Sequence, residues 1–104
     1  MTLRILPEAL AELHGAATWL DEQDAGLGRA LIAEYRERVA FARQMPAAGA
    51  FIGTTRGGGQ VRRFALHRFH RYAILMVSRA EVHTVVAFEH SSRRPGAWRG
   101  RSDE

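Results

Sequence analysis

Apolar residues recur at helical spacing in the first half of the chain and in short unbroken runs in the second. Leu10, Leu13, Ala17 and Leu20 stand at spacings of 3, 4 and 3, which puts them on one helical face. Pro7 suits the first helical position and Glu8 places a carboxylate in the first turn, so the pattern predicts a helix from Pro7 to about Glu22. Thr2–Leu6, just before it, reads as a short strand. Leu31, Tyr35, Val39 and Ala42 carry the helical period of a second helix, with Ile32 beside them. Asp24 is its candidate N-cap and Pro46 its stop. Ala47–Gln60 holds Gly49, Gly53, Gly57, Gly58 and Gly59 and reads as a loop, with room for a short extended piece near Phe51. Three strands follow at Val61–Leu66, Tyr72–Val77 and Val82–Glu89, and Ser78–Glu81 joins the last two tightly as a hairpin would. The predicted class is α+β: an N-terminal strand, a two-helix hairpin, then three antiparallel strands forming a twisted sheet.

Composition narrows this to one globular domain spanning residues 1–104, with 46% apolar and 25% charged residues. No apolar run approaches the ~20 residues of a membrane span. Met1–Leu6 lacks the basic region and apolar stretch of a signal peptide. With no cysteine there is no disulfide framework and no thiolate metal site. These features point to a cytoplasmic protein that does not meet the membrane. The tail Arg101–Glu104 is expected to fray.

Charge is divided unevenly. Residues 1–50 hold five Arg against seven acids, a net of −2; residues 51–104 hold ten Arg against four acids, a net of +6. A basic half of this kind suits nucleic acid or an acidic protein segment. All fifteen basic residues are Arg, a usage that GC-rich codons would also produce. Either way none of them can serve as a general base, because guanidinium keeps its proton.

Two stretches concentrate the chemistry. Val61–Val77 and Glu81–Arg99 each join an apolar strand to Arg, His and aromatic residues. The triple glycine lacks the Lys-Ser/Thr pair of a phosphate loop. His67, His70, His83 and His90 have no paired ligand motif, so no metal site and no cofactor is expected.

The pieces LPEALAEL, WLDEQ, GLGRALIAEYRERV closed by MP, VRRFAL, RYAIL and VVAFEHSSRRPGAWRGR run through nearly the whole chain in this order. Together they resemble the RelE/ParE superfamily, the toxins of bacterial type II toxin–antitoxin systems. The ending His90-x-x-Arg93-Arg94-Pro95-x-x-Trp98 is the most specific element. The resemblance implies a two-helix layer over a twisted sheet and a cognate antitoxin that wraps the toxin as a hetero-oligomer. Two activities divide the superfamily. ParE-like members poison DNA gyrase, with no recognised nuclease site, and RelE-like members cut mRNA on the ribosome.

Under the ribonuclease alternative the resemblance makes His90, Arg93 and Trp98 the catalytic candidates. Arg93 would face the scissile phosphate, His90 would move a proton, and Trp98 would stack on a base. The structural alternatives are an ion pair for Arg93 with an acid such as Glu89, a strand-closing hydrogen bond for His90, and core packing for Trp98. Target-binding candidates are Arg62, Arg63, Arg93, Arg94 and Trp98. Arg62 and Arg63 are adjacent on a strand and point to opposite faces, so at most one shares a groove with Arg93. Tyr72 matches the family's second-strand aromatic. Ala73 stands where ribonuclease members carry a second arginine, and Met76 where many members have tyrosine. With the lysines of that branch also missing, the nuclease machinery is incomplete. The expectation is therefore a ParE-like, gyrase-directed toxin.

Overall fold

A computed structural model describes residues 2–93 and 96–104. Strand β1 (Thr2–Ile5) leads into helix α1 (Pro7–Gln23) and helix α2 (Leu27–Gln44). A 3-10 turn at Pro46–Ala48 precedes strands β2 (Ala50–Thr54), β3 (Gln60–Ala65), β4 (Tyr72–Arg79) and β5 (Val82–His90). A second 3-10 turn, Ala97–Gly100, starts the C-terminal segment. The strands form one sheet in the order β1-β5-β4-β3-β2, antiparallel except for β1, which pairs parallel to β5. The class is α+β, as predicted, with one strand more than the sequence suggested.

That extra strand lies inside the glycine-rich stretch expected to be a loop, at the place near Phe51 where a short extended piece was expected. Ala50 and Phe51 pair with Arg63 and Arg62, and a bulge then shifts the register before Gly53 pairs with Val61. The turn after it closes on Thr55, whose hydroxyl accepts from the Gly59 amide at 3.0 Å.

The helical hairpin departs from expectation at its corner. Asp24 does not cap α2; its amide ends α1 by donating to the Leu20 carbonyl at 2.9 Å. Gly26, at φ 97°, turns the chain through the left-handed region that glycine tolerates. Asp21, still inside α1, does the capping, its Oδ1 accepting from the amides of Gly26 (3.1 Å) and Gly28 (2.8 Å). The helices meet closely here. A Cβ on Gly28 would lie 2.5 Å from the Ala17 carbonyl oxygen. Gly28→Ala is therefore expected to destabilise the fold by about 1–3 kcal/mol through backbone displacement; a chemical denaturation midpoint unchanged from the parent would refute this.

The buried stripe of α1 also sits slightly off the predicted one. Leu13, Ala17 and Leu20 are buried, but Leu10 is 38% exposed and Ala9 and Ala16 take the inner positions. Small residues there let α1 lie close to β5. On α2 the predicted Leu31, Tyr35, Val39 and Ala42 are all buried. Tyr35 stands edge-on to Phe88 at 5.8 Å and Phe41 edge-on to Phe64 at 6.4 Å, so the helices cover the sheet face that carries Phe64 and Phe88.

The opposite face is covered by the C-terminal segment, which corrects the expectation of a frayed tail. Trp98 is only 2% exposed, and a Cβ on Gly53 would meet its ring at 2.9 Å. Asp103, 6% exposed, accepts from the Thr55 hydroxyl at 2.7 Å and from Arg79 Nε at 2.9 Å. Arg4 Nη1 donates to the Asp103 carbonyl at 2.9 Å. The tail stays down because the Asp103 carboxylate meets partners on β4 and the turn after β2, and its backbone carbonyl meets Arg4 of β1. Cover on both faces explains why β4 is buried without a break from Tyr72 to Val77.

Among the described residues one buried polar group lacks a full set of partners. His83 is 1% exposed and its Nδ1 bonds the Ser78 hydroxyl at 2.7 Å, while Nε2 has no hydrogen-bond partner among them. Burial, helped by the Arg43 charge, holds its pKa below the usual 6.5. The unfolded chain therefore binds this proton more readily than the fold does. The stabilisation is complete above pH 6.5 and is lost as pH falls from there through the lower folded value. Unfolding free energy should drop with a slope approaching about 1.4 kcal/mol per pH unit in that window. His83→Asn should flatten the profile, and an unchanged slope in the variant would exclude His83 as its source.

Candidate functional site

The sequence candidates divide between the two faces of the sheet. Arg62 lies on the helix-covered face, where its Nη1 donates to the Gly49 carbonyl at 2.8 Å. Arg63 points the other way and sits near Glu89, whose pKa burial raises against the pull of Arg63. The opposite-face expectation for this pair therefore holds, and it is Arg63 that shares the neighbourhood of Glu89 with Arg93. Trp98 is enclosed beneath the C-terminal segment, with the Arg99 guanidinium 4.9 Å from its ring centroid. Its ring has no open face on which a base could stack, so core packing is its role. Arg94 lies outside the described residues.

His90 and Arg93 do come together. Both line a depression of about 400 Å³ between α1 and the ends of β4 and β5, with Glu12, Gly15, Trp19 and Tyr72 among its walls. Arg93 pairs with Glu12 at 3.5 Å and not with Glu89. Glu12 has stronger claims on it. Arg101 holds both its oxygens at 2.9 Å, and the Phe88 amide donates to Oε1 at 3.1 Å. Strand β1 stops opposite Val85, so beyond that point β5 is paired only with β4 and its outer edge has no strand beside it. Glu12 and Arg101, which also donates to the Val86 carbonyl at 2.9 Å, satisfy the bare edge.

His90 is bound on one nitrogen. Its Nδ1 accepts from the Ser92 amide at 3.0 Å and contacts the Ser92 hydroxyl at 2.7 Å. An amide can only donate, so Nδ1 is the unprotonated nitrogen and the neutral ring carries its proton on Nε2. Neither nitrogen of that tautomer offers a free lone pair to a substrate hydroxyl. Tyr72 packs edge-on to His90 at 4.8 Å. Its pKa is raised by burial, with the Arg93 charge pulling the other way, so the phenol stays protonated at neutral pH.

A second depression of about 240 Å³ adjoins the first and shares Trp19, Tyr72 and His90 with it. Its outer wall is the β3–β4 loop, with Arg68, Phe69, His70 and Arg71. Glu34 of α2 fixes that loop by accepting from the amides of His67 (2.7 Å), Arg68 (2.9 Å) and Phe69 (3.1 Å). Burial pushes the Glu34 carboxyl up, but these donors outweigh it and hold the pKa below its usual value. Among the described residues no three His, Asp or Glu converge as metal ligands, and no helix is long and apolar enough to cross a membrane.

Sequence reasoning missed Trp19, which is 55% exposed at the meeting point of the two depressions. A signal was present: Trp19 lies off the Leu13–Ala17–Leu20 stripe, a large aromatic on the polar side of an amphipathic helix.

No protein-family model matches the chain, and no curated protein matches it. Among solved structures, a chain of "Chromosomal ParDE TA system from P. aeruginosa" superposes with a TM-score of 0.68 at 16% identity, covering 86% of this chain and 95% of that one. The chain thus shares its fold, a helical hairpin over a mixed five-stranded sheet, with a chain of that ParDE system.

Proposed function

We propose that the chain is the toxin of a type II toxin–antitoxin pair, of the ParE-like branch. It acts in the cytoplasm on DNA gyrase as a binding protein and is held inactive in a hetero-oligomer with its cognate antitoxin. The observation that carries the reading is the fold shared with a ParDE chain over 95% of that chain's length. The gyrase branch is favoured over the ribonuclease branch by the state of the three nuclease candidates. His90 has its acceptor nitrogen occupied, Arg93 is paired with Glu12, and Trp98 is buried on the other side of the sheet. Cleavage of RNA by its own ribose 2′-hydroxyl needs a base, an acid for the departing 5′-oxygen and a charge stabiliser close together. A binding protein needs none of these, and a basic surface suffices.

Induction of the chain without its antitoxin tests the proposal. The expected result is growth arrest with a DNA-damage response, relaxed plasmid supercoils and intact mRNA. Codon-phased mRNA cuts before any DNA damage would establish the ribonuclease alternative instead. Arg93→Ala should weaken target binding by about 10-fold or more, the loss of one charge-assisted contact. Growth arrest of undiminished strength in that variant would remove Arg93 from the target surface.

A further inference from the structure

We propose that Ser78 is an activated nucleophile, with His83 as its base, and that it takes acyl groups from small esters. The pair lies at the turn end of β4 and β5, the opposite end of these strands from His90 and Arg93, and does not rest on the toxin reading.

The hairpin builds the pair. Ser78 and His83 stand opposite each other in the β4–β5 register, so their side chains share a face. The turn between them runs through Ala80 at φ 52° and Glu81 at φ 60°, left-handed conformations that glycine or asparagine normally supplies. Such backbone is unfavourable for residues with a Cβ, yet it closes the two-residue turn that fixes this register.

The contact itself is 2.7 Å between the Ser78 hydroxyl and His83 Nδ1. The ring is 1% exposed, and its Nε2 has no hydrogen-bond partner among the described residues. An orphaned nitrogen in a buried ring is destabilising, so packing alone is a poor reason for histidine here. With the ring proton on Nε2, Nδ1 accepts from the serine, which is how an adjacent base activates a hydroxyl. Burial, helped by the Arg43 charge, keeps the ring neutral and able to accept. Among the described residues no third group orients Nε2, so the pair is a dyad and its turnover should be slow.

Two depressions meet at this hydroxyl. One, of about 210 Å³, has an apolar wall of Ala47, Phe64 and Met76, with Gln60 and Arg62 beside it. The other, of about 170 Å³, runs past Val82 and has His83 in its lining. Pro46 and the half-buried Ser78 belong to both. A purely structural serine has no need of this seam between two cavities.

Size and lining select the substrate. Pockets for drug-sized ligands take roughly 300–1,000 Å³, so each depression holds only a small group. The apolar wall suits a short acyl chain. Gln60 carries an amide donor, and Arg62 has donors beyond the Nη1 given to the Gly49 carbonyl, for a carbonyl oxygen that gains negative charge. The second depression takes the alcohol side of the ester. Ser78 Oγ attacks the carbonyl carbon while its proton passes to His83 Nδ1. The tetrahedral oxyanion collapses, the bond to the alcohol oxygen breaks, and that oxygen leaves with the proton from His83. Water, deprotonated at the same nitrogen, then releases the carboxylic acid and restores the serine. The reaction consumes only ester and water.

The test uses the intact chain with p-nitrophenyl butyrate and with a fluorophosphonate, a probe that phosphonylates activated serines. The parent should release p-nitrophenol with turnover and take one phosphonyl group, placed on Ser78 by peptide mass spectrometry. Ser78→Ala should lose both signals. His83→Asn should be labelled about 100-fold more slowly, the lower end of what a positioned base contributes. A second variant reads the dyad without relying on that substitution. The chain has no cysteine, so Ser78→Cys carries a single thiol. In protein folded by circular dichroism, that thiol should titrate at least about one unit below the ~8.5 of a free cysteine, whereas burial beside an inert ring would raise it. The assignment is overturned if the folded parent takes no label at millimolar probe, or if the label lands on Ser91, Ser92 or Ser102. It is equally overturned if His83→Asn is labelled as fast as the parent, or if the Ser78→Cys thiol titrates at or above the free value.

Discussion

Trp98→Ala is expected to lower the unfolding free energy by about 3–5 kcal/mol, the range for removing a large aromatic from a packed core. A domain of this kind has only about 5–15 kcal/mol in total, so the variant should be marginal at growth temperature. The size follows from what the indole does. It is 2% exposed, it fills the space that Gly53 leaves empty, and it pins the segment that carries Arg101 and Asp103. Removing it should loosen that tail, exposing Arg79 and Thr55 as well as the cavity. Urea unfolding followed by circular dichroism measures the loss, and Trp98→Phe, which keeps most of the volume, should recover much of it. A loss below about 1 kcal/mol, the scale of a surface substitution, would show that Trp98 is not a core residue and would reopen its assignment to the target surface.

Arg101→Ala should cost about 3 kcal/mol, because it leaves the Glu12 carboxylate mostly buried without its principal counter-ion. Both side chains are largely enclosed, at 16% and 12% exposure, so solvent screens the pair little. The hydrogen bonds to Glu12 hold the guanidinium pKa above its usual value, the direction expected if the fold favours the charged form. Removing Glu12 as well should cost less than the two single losses added together, with a coupling of roughly 1–3 kcal/mol. Additive single and double variants would mean that the two residues act independently. The same cycle has a functional reading. Arg101 keeps Glu12 occupied, so Arg101→Ala leaves that carboxylate to the Phe88 amide and, as its remaining cation, Arg93 beside the depression. Acidic partners should then bind more weakly even in protein that remains folded.

The elements could be read from the chain because their causes are local. Periodicity, Pro7 and Pro46 set the helices, apolar runs set β4 and β5, and the alternation of Val61 and Phe64 with polar residues marks β3 less strongly. The +6 charge of the second half and the His90–Arg93 spacing were likewise visible in advance, and the structure does place those two side chains at one rim. What escaped depends on partners far along the chain. β2 is a weak strand on its own and exists because β3 offers an edge to pair with. The tail looks polar and free, yet Asp103 and Arg101 are held by Thr55, Arg79 and Glu12, between 24 and 89 positions away. The ring of Trp98 could equally have faced solvent or core, and its place inside uses the space left open at Gly53.

Sequence alone determined the class of fold, the helical hairpin and the cationic bias, since these follow from spacing and composition. Tertiary structure decided which cations are already engaged, which aromatic is exposed, and where the depressions lie. Those outcomes depend on which faces meet, and pairing across the sheet, unlike helical periodicity, leaves no mark within a short window of sequence. Trp98 went inside and Trp19 stayed out because the C-terminal segment closes one face of the sheet while the end of α1 leaves its depression uncovered.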